Sequence, residues 1–188
     1  MALAHADLET WTDATQTVHL KTMSNKQILK TSDTWLELTE DVLKVGDVYE
    51  WSVLPSCGAV VVFSGVVRDH AEGRTDVTSL TYEAYDAQVI SKLQLIVDEM
   101  RVRWNDLGRV ALIHRVGNLT LGESSVLVSV SSPHRPQAFS AAQFAIDTLK
   151  ESVPIWKQEH WKQGSDWGTN SSEISRVRTD SSVDSSVR

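Results

Sequence analysis

With 188 residues, 41% of them hydrophobic and 23% charged, the chain is long enough for one well-packed domain and short for two. Its formal charge of -7 points away from general affinity for nucleic acid. A single cysteine, Cys57, excludes an internal disulfide framework and any multi-cysteine zinc or iron–sulfur site. No apolar run approaches the roughly 20 residues needed to cross a bilayer. The acids in MALAHADLETWTDATQ break the pattern of a signal peptide, so a cytoplasmic location is expected.

Residues 1–33 form a polar N-terminal extension without sustained periodicity, within which Met23 is an alternative start. TWLELTEDVL alternates Leu36 and Leu38 with Glu37 and Thr39, the pattern of a half-buried strand. A short helix is expected over residues 45–54, stopped by Pro55. The valine-rich run GAVVVFSGVV fits a strand buried on both faces. After the charged loop DHAEGRTD, TSLTYEAY resumes as a strand, and the two are expected to pair as an antiparallel hairpin. Val89, Ile90, Leu93, Ile96, Val97, Met100 and Trp104 mark an amphipathic helix with Asp86 as its cap. Arg101 and Arg103 suit the negative pole of its dipole. RVALIHRV and SSVLVSVSS read as two further strands, joined through GNLTLGE.

The stretch SSPHRPQAFSAAQFAIDTLKESVPIWKQE follows. Pro136 falls in the first turn of a helix, where a missing N–H costs nothing. Ala138, Phe139, Ala142, Ala145, Ile146 and Leu149 supply its apolar face, and Lys150 closes it. Pro154 prevents the helix from running on, so IWKQE is a new segment and Lys157 need not share a face with Lys150. Residues 171–188 form a serine-rich tail expected to be disordered. Residues 34–170 therefore make a single α+β domain, with a mixed, largely antiparallel sheet and flanking helices.

Several residues are candidates for chemistry. His134 and Arg135 precede a helix N-terminus, where free N–H groups favour an anion and Arg135 adds a planar fork suited to phosphate. The plainer alternative makes Arg135 a partner of a surface carboxylate and His134 a cap. Lys150 and Lys157, taken alone, read as solvated lysines, and Arg68 as a rim charge beside a flexible loop. His70, His114, His134 and His160 lack metal-ligand spacing, so no metal site is expected. His114 reads as a structural histidine within an apolar strand. Tyr82, Glu83 and Tyr85 read as packing on a sheet face, and Cys57 as a small buried hydrophobe.

SSPHR, IDTLK and VPIWKQE resemble the catalytic (large) subunit family of molybdopterin synthase. So do GAVVVFSGVVRDHAEGR, LTYEAYDAQ and LGRVALIHRVGNLTLGE upstream, and the resemblance spans about residues 35–168. It implies an α/β hammerhead-like fold and a sulfur transferase that needs no cofactor. The sulfur would come from the C-terminal Gly-Gly thiocarboxylate of a small ubiquitin-like subunit. The acceptor would be cyclic pyranopterin monophosphate, converted to the dithiolene of molybdopterin. The assembly it implies is a heterotetramer around a central dimer of large subunits. It assigns Lys150 and Lys157 to catalysis. To substrate binding it assigns Val66, Val67, Arg68, His134, Arg135, Lys150, Lys157, Gln158 and Glu159. The alternatives are a module that binds a ubiquitin-like tail without catalysis, and another enzyme acting on a phosphorylated metabolite.

Overall fold

The computed structural model describes residues 26–71, 73 and 75–167. Residues 1–25 of the N-terminal extension, and residues 168–188 with the whole of the tail over 171–188, lie outside the described residues. Among the described residues, nine strands and three helices follow in the order β1 (Gln27–Lys30), β2 (Thr34–Thr39), α1 (Val45–Ser52), β3 (Ala59–Val66), β4 (Val77–Ala84), α2 (Asp86–Arg103), β5 (Val110–Arg115), β6 (Gly117–Thr120), β7 (Ser124–Ser132), α3 (Arg135–Ser152), β8 (Ile155–Trp161) and β9 (Gly164–Trp167). They build two sheets, one ordered β1-β2-β5-β7-β3 and the other β6-β4-β8-β9. All pairings are antiparallel except β2 with β5. The α+β class expected from the mixture of periodicities therefore holds.

Strand alternation sorts the five-stranded sheet into two faces. Leu36, Leu38, Leu112, Val126, Val128 and Val130 belong to the main core with α2 and α3, which contribute Leu93, Ile96, Met100, Ala141 and Ala145. Ala111, Ile113 and Leu127 cluster instead with Val48 of α1. Each wholly buried leucine, isoleucine or methionine contributes roughly 1.5–3 kcal/mol of transfer free energy, which outweighs any helix propensity term. A smaller cluster of Val67, Val77, Leu80 and Leu119 underlies the four-stranded sheet.

The strands differ from the sequence expectations in instructive ways. β3 and β4 do not form a hairpin, because β3 pairs with β7 and β4 with β6 and β8. β3 is an edge strand, only partly buried, although its valines suggested burial on both faces. The buried centre is β5 and the serine-rich β7. Buried hydroxyls there are tolerable because they are bonded. Ser129 Oγ lies 2.6 Å from Ser52 Oγ, and Ser131 Oγ accepts from the Arg109 backbone N–H at 2.7 Å. β2 is likewise almost wholly buried rather than half-buried, since α2 covers one face and its neighbours flank both edges. β1 falls within the stretch read as a polar extension, yet it pairs with β2, and Lys26 forms a 2.9 Å ion pair with buried Glu37.

The link from β5 to β7 is itself a strand. The chain leaves the first sheet after Arg115 and enters the second at Gly117, whose φ of +85° makes that switch accessible without steric cost. Among the helices, α1 ends at Ser52 rather than 54. Asp86 is the first residue of α2, not its cap; Tyr85 holds that position and makes no capping bond from its side chain. Phe139 is 63% exposed and lies off the buried face of α3.

Candidate active site

Three cations reach one cavity from three different elements. Arg68 follows the end of β3, Lys150 stands in the last turn of α3, and Lys157 projects from β8. The cavity, about 340 Å³, lies in the seam between the two sheets. That volume is at the lower end of the range for small-molecule sites, about 300–1,000 Å³. β3, β5 and β7 wall one side through Gly65, His114 and Val126. β4 and β8 wall the other through Leu80, Tyr82 and Ile155, and Leu149 of α3 closes the end.

Local structure explains why each group points inward. The β3–β7 register slips between Gly65 and Val66, and such bulges commonly re-aim side chains at sheet edges. Ser125 Oγ donates to the Gly65 carbonyl at 3.2 Å, and the Arg68 side chain is steadied by Nε donating to the His70 carbonyl at 3.0 Å. Pro154 ends α3, and the chain turns directly into β8. Alternation along β8 then sends Ile155, Lys157 and Glu159 to the cavity and Trp156, Gln158 and His160 away from it.

The electrostatic balance of the cavity is positive. Its lining contains Arg68, Lys150 and Lys157 against one carboxylate, Glu159, which is 6% exposed and ion-paired to Lys157 at 2.8 Å. Among the described residues, Arg68 and Lys150 have no carboxylate partner. Low-dielectric walls strengthen such a field, so this is a place for a small anion in an otherwise acidic protein. Two imidazoles also line it. His70 is exposed, with Nδ1 2.7 Å from Asp69 Oδ1. His114 is 5% exposed, with Nδ1 2.8 Å from the Arg115 carbonyl and its ring edge-on to Tyr82 at 5.1 Å. Burial pushes its pKa from 6.5 down to about 4, a shift that the hydrogen bond to the Arg115 carbonyl only partly opposes.

The structure thus gathers Val66, Arg68, Lys150, Lys157 and Glu159 around one cavity. Val67 lies beneath it, 3% exposed in the core of the second sheet. Gln158 is on the opposite face of β8, with Nε2 3.4 Å from Ser165 Oγ. His134 and Arg135 are exposed at the other end of α3, and His134 makes no capping bond with its side chain. Fifteen helical steps lead from Arg135 to Lys150, about 22 Å at a rise of 1.5 Å each. One chain cannot bring these two arginine and lysine groups onto one small ligand. His114 and Tyr82, read as structural in the sequence, are cavity residues. Tyr82 stands opposite Lys157 in the β4–β8 register, a relation that only the docking of the strands creates.

A single α+β domain whose two sheets meet at a cleft lined by three cations has the shape and charge to hold a small anion. The profile of the MoaE protein family matches residues 38–152. Molybdopterin synthase catalytic subunit 2 of Aedes aegypti is 42% identical over 139 residues, covering 72% of this chain and 89% of that protein. The catalytic subunit from Culex quinquefasciatus is 43% identical over 139 residues, with 72% and 88% coverage. The solved molybdopterin synthase from Staphylococcus aureus aligns with a TM-score of 0.67 at 36% identity, covering 74% of this chain and 98% of that one. The chain belongs to the MoaE family, the catalytic subunits of molybdopterin synthase, enzymes of molybdenum cofactor biosynthesis. No helix among the described residues is long and apolar enough to cross a membrane.

Proposed function

We propose that the cavity binds cyclic pyranopterin monophosphate and is where sulfur passes to it from the C-terminal thiocarboxylate of a small ubiquitin-like partner. The observation that carries this reading is the convergence of Arg68, Lys150 and Lys157 on one small cavity. Arg68 offers a planar fork to the phosphate, with the two ammonium groups beside it. The thiocarboxylate sulfur attacks a side-chain carbon of the pterin and the carbon–oxygen bond there breaks, its electron pair leaving on the protonated oxygen, so that the partner is joined to the pterin through a thioester. A second thiocarboxylate serves the neighbouring carbon in the same way. Water then attacks the acyl carbon, so the sulfur stays on the pterin and the partner departs as a carboxylate. Lys150, without a carboxylate partner among the described residues, is placed to stabilise the negative charge that develops. Lys157 shares that work and is oriented by Glu159 at 2.8 Å.

The exposed His134 and Arg135 fit this reading through self-association. A second copy, in a central dimer of a heterotetramer, presents its α3 N-terminus to the cavity of the first and adds the cations a single chain holds some 22 Å away. A cytoplasmic setting suits the free Cys57 thiol.

Reconstitution tests the proposal. The chain, a thiocarboxylated partner and the cyclic pterin together should yield dithiolene product, with sulfur consumed from the thiocarboxylate. Tight binding of the partner without product would identify a docking module instead.

A further inference from the structure

The Arg115 carbonyl can only accept, so the 2.8 Å contact requires the proton of His114 to sit on Nδ1. A neutral imidazole carries one such proton, which leaves Nε2 as a bare acceptor. No described residue donates to it, and the ring is 95% buried in the cavity wall, held edge-on by Tyr82. The other charged groups of the wall are donors, apart from Glu159, whose carboxylate is engaged by Lys157. The His114 ring lines the cavity with Nε2 left to accept a hydrogen bond from what fills it. Burial keeps the ring neutral near pH 7, since its pKa lies at about 4.

We propose that His114 is a specificity-determining residue of this site, its Nε2 accepting a hydrogen bond from an N–H of the bound pterin while Arg68, Lys150 and Lys157 hold the phosphate. The assignment rests on the pterin-phosphate reading of the cavity. It divides recognition in two: cations read charge, and a neutral acceptor reads the donor edge of the ring. A site built to pair a ligand N–H discriminates strongly against analogues lacking it, because the buried acceptor is then left unpaired.

The test compares dissociation constants for the cyclic pterin phosphate and for inorganic phosphate in the wild-type protein, His114→Phe and His114→Gln. Phenylalanine keeps a ring against Tyr82 but removes the acceptor; glutamine restores an acceptor. His114→Phe should weaken pterin phosphate binding about tenfold and leave inorganic phosphate unchanged, with recovery in His114→Gln. In the wild-type protein, the Nε2 nitrogen resonance of His114 should move on adding pterin phosphate and stay put with inorganic phosphate. That measurement decides the matter should His114→Phe not fold. Unaltered pterin binding by folded His114→Phe, equal weakening of both ligands, or a stationary Nε2 resonance would each refute the assignment. Failure of the wild-type protein to bind the pterin at all is a separate result, which removes the functional reading and this inference with it.

Discussion

Acidification from pH 7 to pH 5 should destabilise this fold through His114. The group has a pKa of about 4 in the folded chain against 6.5 when free. As pH falls, the unfolded chain takes up the proton first, so stability is fully present above about pH 6.5 and is lost as pH falls toward 4. The whole shift corresponds to about 3 kcal/mol at 1.36 kcal/mol per pH unit, and the part expressed between pH 7 and pH 5 to about 2 kcal/mol. With an m-value of about 2 kcal/mol/M, the urea midpoint should drop by about 1 M over that interval. His114→Phe carries no titrating group there. The stability of wild type relative to the variant should therefore fall by about 2 kcal/mol on going from pH 7 to pH 5, so that a small packing penalty would change sign. Asp33 and Glu123 have depressed pKa values and act only at lower pH. If both proteins lose stability in parallel between pH 7 and 5, His114 is not a neutral buried imidazole and the tautomer argument fails with it.

Other expectations follow from the same geometry. Lys150→Ala should lower kcat by on the order of 10²-fold with pterin still bound, whereas Arg135→Ala and Arg68→Ala should mainly raise KM; single-turnover assays with saturating pterin separate the two patterns. Cys57→Ala should keep full sulfur transfer at a stability cost of about 1 kcal/mol, because the sulfur arrives from the partner; a folded but inactive variant would make Cys57 the carrier. Gly108→Ala should be strongly destabilising in thermal melts, since a Cβ there would meet Cys57 Sγ at 2.5 Å and Ser131 Oγ at 2.7 Å. Deleting residues 1–25 should leave the midpoint within a few degrees, but deletion through residue 33 should cost more, because it strips β1 from β2 and leaves Glu37 without Lys26.

Helices were legible in the sequence because their burial repeats every 3.6 residues and needs no knowledge of distant strands. Val89, Leu93, Ile96 and Met100 announce α2 on their own. Strand pairing was not legible. The hairpin expected between β3 and β4 is the economical local choice, but the partners of each lie more than 30 residues away in the sequence. Composition misled at the sheet centre as well, since β7 buries serines by bonding them while the valines of β3 occupy an edge. Around the cavity, motifs had singled out Lys150, Lys157 and Arg68. Gln158 was grouped with them by adjacency, yet strand alternation alone would have separated it from Lys157 and Glu159. His114 and Tyr82 carried no signal in sequence, because their exposure to the cavity exists only after one sheet docks on the other.

The placement of the cavity in that seam also ties occupancy to the integrity of the whole domain. Loss of the four-stranded sheet would carry away Tyr82, Lys157 and Glu159 while Arg68 and His114 stayed with the other. An anion spanning Arg68 and Lys157, as proposed, would act as a rivet between the two sheets, and at 100 times its dissociation constant it would stabilise the native chain by about 2.7 kcal/mol. The protection should appear as slower amide exchange along β4 and β8, whose strand partners among the described residues lie within their own sheet.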